Sequence, residues 1–218
     1  MFNRLNVTHL ILYQIFVYQL ELKKMKSYIT IMFFCLTCLS CKKSDTTVTP
    51  TTTTTSSFKL TSTAVVNDLL LDAFKCEAKV NGVENSMPFA WTGAPAATVA
   101  YAMTMISYPN PSDLTVFSSY LELWGIDKSV SSIAYGKADD GPWFMGPNKD
   151  LKNISYSSPC SAGSGTHQYI VTIYALSATP SSLPTQSSMT VTNQVLTSAL
   201  STVTILDKAT LTFNSVTP

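Results

Sequence analysis

Two stretches of the chain are dense in apolar, β-branched and aromatic side chains and lie between Pro or Gly punctuation. They are Val99 to Ile106 (Val-Ala-Tyr-Ala-Met-Thr-Met-Ile) and Gln168 to Leu176 (Gln-Tyr-Ile-Val-Thr-Ile-Tyr-Ala-Leu). Runs of this length and composition are those of strands buried in a sheet. Shorter strand patterns cover Phe58 to Thr61, Phe74 to Val80, Tyr120 to Ile126 and Thr210 to Asn214. One late segment has a different period: Val191, Val195, Leu196, Ala199, Leu200 and Val203 follow i, i+4, i+5, i+8, i+9 and i+12. That stripe predicts a helix of about four turns with one buried face. Many strands with one late helix predict a mainly β fold, an antiparallel domain carrying a C-terminal accessory helix. No unit of 20 to 50 residues recurs, which excludes a solenoid or propeller.

The N-terminal part reads differently. Lys23-Lys24-Met25-Lys26 is a basic cluster, followed by the uncharged apolar run Tyr28 to Leu39 and then Ser40-Cys41. The run is shorter than the roughly 20 residues a membrane-spanning helix needs and has the flanks of a secretory signal. The segment Cys38-Leu39-Ser40-Cys41 resembles a lipobox, in which the cysteine becomes the acylated N-terminus. Residues 25–40 are therefore expected to be a lipoprotein signal peptide and Cys41 the lipidation site; an uncleaved anchor is the competing reading. Residues 1–24 read as an upstream extension ahead of a true start at Met25, or as a first hydrophobic segment. Thr46 to Ser57 holds eight threonines, two serines and a proline. It has no apolar surface to repay ordering, so residues 41–57 form a lipidated cysteine with an extended linker. The expected location is a bacterial cell envelope, with the chain held on a membrane by its lipid, periplasmic or surface-exposed. The folded domain is then 58–218.

Charge narrows the function. From Cys41 onward ten lysines face twelve acidic residues, a net charge of −2, and the only arginine of the chain is Arg4. A chain without a basic excess or basic stripe is not built for nucleic acid. Without arginine in the domain, no bidentate guanidinium clamp on an anion is available. Cys35 and Cys38 leave with the signal, so the domain keeps Cys76 and Cys160. An oxidising compartment invites a bridge between them. Pairing depends on Cα separation, so a disulfide and two buried thiols both remain open.

Several local patterns occur in a fixed order. Ser86-Met87-Pro88-Phe89-Ala90-Trp91 precedes the first long strand, which leads into Tyr108-Pro109-Asn110-Pro111. Gly146-Pro147-Asn148 follows, then Tyr156-Ser157-Ser158-Pro159-Cys160, then Thr166-His167-Gln168-Tyr169 opening the strand that ends Tyr174-Ala175-Leu176. In this order the domain resembles the phosphatidylethanolamine-binding protein family, in its bacterial Raf-kinase-inhibitor-like branch. The resemblance implies a β-sandwich of Greek-key type with a small anion-binding pocket at one end. In the family that pocket is built from an Asp-Pro-Asp-x-Pro turn, a His-Trp pair and a His-x-Tyr. The last element is present as His167 and Tyr169, which alternation would place on one strand face. The turn aligns with Ser107 and Pro109 in place of its aspartates, with Pro111 matching, and the His-Trp pair aligns with Tyr120-Leu121. Ser107 and Tyr120 still offer hydroxyls that donate and accept, so the resemblance implies a remodelled, partly decayed site of His167, Tyr169, Tyr120, Ser107 and Pro111.

The remaining signals are structural. Trp91, Trp124 and Trp143 read as core or pocket walls. Asp139-Asp140-Gly141 opens like a calcium loop but lacks the later oxygen ligands, and reads as a solvated turn. Asn148 and Pro159-Cys160 read as loop architecture around the pocket mouth. With one histidine in the domain, zinc sites built on two or more are excluded. Ala162-Gly163-Ser164-Gly165 is not a nucleophile elbow. The expected function is non-catalytic binding of a small polar or anionic ligand, without cofactor or metal. The alternative is a protein-interaction or inhibitor module on the same scaffold.

Overall fold

The structure, a computed structural model, describes residues 57–110 and 112–218. Cys41, the signal and all of the linker but Ser57 fall outside the described residues, and so does Pro111. Ten strands and one helix make up the described domain. They are β1 (Lys59–Thr61), β2 (Val65–Val66), β3 (Leu69–Leu70), β4 (Phe89–Thr92), β5 (Ala100–Ser107), β6 (Ser118–Asp127), β7 (Ser132–Ile133), β8 (Phe144–Met145), β9 (Gly165–Leu176), α1 (Asn193–Leu200) and β10 (Ile205–Thr217). They form a three-stranded sheet in the order β1-β4-β7 and a seven-stranded sheet in the order β2-β3-β10-β9-β5-β6-β8. Pairing is antiparallel except where β10 meets β3 in parallel at Asn214 and Leu69. The C-terminal accessory helix is α1, and β10, which follows it, pairs with β9.

Alternation along β9 explains the core. Tyr169, Val171, Ile173 and Ala175 are fully buried, while Thr172 and Tyr174 between them are half-buried on the other face. The buried set meets Met103 and Met105 of β5, Leu121 and Leu123 of β6, and Phe89 and Trp91 of β4 in the core between the sheets. Each large side chain so buried contributes about 1.5–3 kcal/mol. The opposite face of the large sheet has its own cluster, where Ala102, Trp124 and Leu176 pack against Val191, Leu196, Ala199 and Leu200.

Two irregularities in β6 set which face each of its residues takes. Met105 pairs with Leu121 and Ile106 with Ser119, so Tyr120 is the extra residue of a β-bulge. Tyr120 and Leu121 thereby both join the inter-sheet core. A second bulge falls at Gly125, whose φ of +69° is a left-handed conformation that glycine adopts without strain. It restores Ile126 to the core after Trp124 has turned to the helix side.

Two expected elements differ. The stretch from Phe74 to Val80 is not a strand: a short 3-10 turn, Asp72–Phe74, leads into irregular chain in which Cys76 has φ +47°. Its only bridge pairs Val80 with Val83 around the Asn81-Gly82 turn, and the segment is tied to the loop before β9 by the Cys76–Cys160 disulfide and the bond from the Cys76 N–H to Pro159 O. The helix runs eight residues, about half the predicted length. Thr192 caps its start, accepting from the Val195 N–H at 3.5 Å. At the other end Ser201 Oγ donates to Ser198 O at 2.6 Å and Thr202 Oγ1 to Ala199 O at 2.7 Å. Hydroxyls that capture the last carbonyls compete with helix continuation. Val195 is accordingly 44% exposed, outside the buried stripe. Among the described residues no helix is long and apolar enough to cross a membrane.

Candidate functional site

β5, β6 and β9 bring three of the sequence-derived residues to one end of the large sheet. Ser107 faces Tyr169 across the β5–β9 ladder, and the bulge in β6 delivers Tyr120 beside them. The Tyr120 ring meets the Tyr169 ring edge-on at 5.1 Å, and Tyr169 stacks on Phe213 of β10 at 5.5 Å with 11° between planes. Aromatic pairs at such separations are favourable beyond their burial. The rings therefore form part of the core and hold the tyrosine hydroxyls in place.

Tyr169 is fully buried, and its hydroxyl makes no hydrogen bond. It lies close enough to the Tyr120 and Ser161 hydroxyls to be influenced by both, without hydrogen-bond geometry to either. Tyr156, in the loop before β9, is 1% exposed, and its hydroxyl stands beside the Met87 backbone without hydrogen-bond geometry to it. Burial holds all three phenols neutral, pushing each above the usual phenol range. Buried hydroxyls without partners are uncommon, because each keeps a desolvation penalty of about 1–3 kcal/mol. Lys149 adds charge: its Nζ stands over the Tyr120 ring, 5.6 Å from the centroid, at the range of a cation–π contact.

The other proposed ligands are placed differently. Ser107 Oγ donates to Gln168 O at 2.7 Å, so its hydroxyl braces the β5–β9 ladder. His167 alternates onto the same strand face as Tyr169, but its ring is half-exposed and its Nε2 lies 3.0 Å from Gly163 O, closing the loop into β9. His167 also lines a cleft of about 370 Å3 with Tyr108, Leu114, Gln168 and Asn214. The two tyrosines thus converge, while the histidine and serine are held by backbone carbonyls.

The walls of the site are stapled loops. Cys76 and Cys160 form a disulfide across 84 residues of sequence. Beside it the Cys76 N–H donates to Pro159 O at 3.1 Å and Ser158 Oγ accepts from the Glu77 N–H at 2.9 Å. The Glu84 carboxylate accepts from the Ser158 N–H and hydroxyl. Asp139, expected in a solvated turn, is instead half-buried: it accepts the Tyr156 N–H at 2.8 Å, and burial raises its pKa to about 6. Asn148 Oδ1 accepts from the N–H groups of Lys152 and Asn153, consistent with an architectural role. Trp124 and Trp143 donate to the carbonyls of Pro184 and Ala138, while the buried indole N–H of Trp91 has no partner.

Sequence reasoning passed over Tyr156 as a site residue although it lies in a quoted motif. It also passed over Lys149 and Ser161, for which no spacing signal exists. Glu122 was passed over as well, although a lone carboxylate inside the apolar run Tyr120 to Ile126 is a signal that could have found it.

Comparison with known proteins matches residues 61–215 to the family model described as Phosphatidylethanolamine-binding protein. Two solved structures share the fold. A putative phosphatidylethanolamine-binding protein homologue, CT736 of Chlamydia trachomatis, has a TM-score of 0.60 at 19% identity, covering 75% of this chain and 99% of its own. YbcL of E. coli, described as a new member of the mammalian family, has a TM-score of 0.59 at 17% identity, covering 74% and 99%. A search of curated proteins gave no match.

Proposed function

The chain belongs to the phosphatidylethanolamine-binding protein family, and from that premise we propose that it is a non-catalytic, membrane-tethered protein that binds a small polar or anionic ligand. The reading rests on the buried tyrosine cluster. The Tyr169 hydroxyl has no partner, and a ligand oxygen beside Tyr120 and Ser161 would supply one. Neutral phenols donate well to an anion, and the Lys149 ammonium supplies the opposite charge from the rim. His167 reaches the same site only by leaving Gly163 O, so it acts at the mouth. The lipid on Cys41 would hold the domain at a membrane; since one acyl chain binds only marginally, the anchor needs at least two.

Titration of the full-length protein with inorganic phosphate, phosphoethanolamine and a neutral polyol, followed by calorimetry, tests this. Tyr169→Phe keeps the ring packing and removes one donor to the ligand, so it should weaken binding about tenfold, the value of one hydrogen bond to a charged group. Failure of all three ligands to bind would refute the reading. It would favour a protein-interaction module, supported by the exposed apolar residues Leu114, Val116 and Phe117 between β5 and β6. The intact mass of membrane-extracted protein tests the tether, which requires a chain beginning at acylated Cys41.

A further inference from the structure

On the helix side of the large sheet, opposite the tyrosine cluster, lies a second cavity of about 290 Å3. Its polar lining is Glu122, Ser118 and Ser119 of β6, Lys149, and Thr192 to Gln194 at the start of α1; Phe117, Pro147 and Leu151 supply an apolar wall. Glu122 is 1% exposed, and neither of its carboxyl oxygens has a hydrogen-bond partner; the buried Ser119 hydroxyl has none either. The Asn193 side-chain amide stands beside the carboxyl without hydrogen-bond geometry to it. A buried carboxyl and a buried hydroxyl, both unpartnered by protein groups and both lining one cavity, are groups that a bound ligand would satisfy.

We propose that this cavity is a second binding site, taking a small organic carboxylate with a short apolar body, with Glu122, Ser119, Lys149 and the start of α1 as its polar partners. The site goes beyond the tyrosine cluster: Tyr120 faces the inter-sheet core and Glu122 the helix side.

The charges around the cavity select an anion. Lys149 is the only ionisable side chain among the lining residues other than Glu122. Its neighbour Asp150 turns to Lys79 at 3.9 Å. Thr104 faces Glu122 from β5, and α1 carries no charged residue. The N–H groups of Asn193 and Gln194 belong to the first helical turn, which lacks intrahelical acceptors and favours negative charge. Glu122 opposes an anion only if ionised. Desolvation raises its pKa to about 8, so at neutral pH it presents a hydrogen-bond donor. Gly146 keeps the cavity wall tight: a Cβ there would come within 2.4 Å of Val191 O and 3.1 Å of the Glu122 Cβ.

Calorimetric titration of the full-length protein with butyrate, butyramide and n-butylammonium at pH 6 and pH 9 decides the matter. Butyrate should bind at pH 6 in preference to the other two. Its affinity should fall about tenfold at pH 9, where about a tenth of the Glu122 carboxyls remain protonated and competent. Glu122→Gln, which keeps a donor of the same shape, should bind butyrate with no such fall. Lys149→Ala, at an exposed position, should weaken butyrate at both pH values. The proposal is overturned if butyrate does not bind at pH 6, which would mean a cavity holding solvent only. Butylammonium binding that strengthens at pH 9 and vanishes in Glu122→Gln would overturn it too, identifying a cationic occupant. So would butyrate affinity that is unchanged in Lys149→Ala, or that falls in Tyr169→Phe, which would place the anion at the tyrosine cluster that shares Lys149; both results stand even if Glu122→Gln does not fold.

Discussion

Replacing both bridged cysteines, as Cys76→Ala with Cys160→Ala, should cost the domain several kcal/mol, and the structure lets the sum be worked. The bridge spans 84 residues. Closing a loop of that length in the unfolded chain removes about 15 cal/mol/K of entropy, or about 4.5 kcal/mol at 25 °C. Cys76 stands at φ +47°, where a residue bearing a Cβ pays about 1–2 kcal/mol. Alanine keeps that penalty, so it cancels and the Ala/Ala variant should lose the full value of about 4.5 kcal/mol; Cys76→Gly with Cys160→Ala should recover about 1 kcal/mol of it. Equilibrium urea unfolding of the oxidised protein and the two variants measures both differences, and the variants should show the larger m because their unfolded chains are not cross-linked. A loss below about 1 kcal/mol in the Ala/Ala variant would refute the loop-entropy argument. A Gly variant no more stable than the Ala variant would refute the backbone part alone.

Other perturbations address separate parts of the fold. Glu122→Gln should make stability less dependent on pH. The folded-state pKa of about 8 exceeds the ordinary 4.5, so the stability Glu122 contributes in its protonated form is complete below pH 4.5 and is lost as pH rises through 8. The wild type should therefore fall behind the variant by up to about 5 kcal/mol at pH 9 relative to pH 4, read as a difference in Tm shifts. Gly125→Ala forces a Cβ into a left-handed conformation and to 3.0 Å from the Phe144 ring, which should cost about 1–3 kcal/mol in urea unfolding. Met103→Ala empties a fully buried position between the sheets and should cost about 2–5 kcal/mol. Val116→Ala, at 58% exposure, should stay within about 0.5 kcal/mol of wild type by the same measurement.

The strands that were plain in the sequence are those whose burial is continuous. β5 and β9 lie in the middle of a sheet covered on both faces, so nearly every position is apolar and the run announces itself. β10 was legible only from Thr210 to Asn214, because it lies toward the edge and most of its thirteen residues stay in contact with solvent. The helix stripe was seen apart from Val195, which is exposed, and its length was not, since its periodicity continues where Ser201 and Thr202 take the terminal carbonyls. β4 was quoted as a motif but not recognised as a strand. Its pattern of two buried positions alternating with two exposed ones is too short to stand out.

The linear chain thus determined a mainly β domain, its family resemblance, and the placing of His167 and Tyr169 on one face of a strand by alternation. Local composition carries that much, because burial acts on each side chain where it stands. Only the tertiary structure decided that Ser107 and His167 are held by carbonyls, that Cys76 meets Cys160, and that Tyr156 joins Tyr120 and Tyr169. It also decided that a bulge turns Tyr120 into the core while Glu122 points to the helix. These are contacts between residues far apart along the chain, and their partners are set by sheet register, which no single segment encodes.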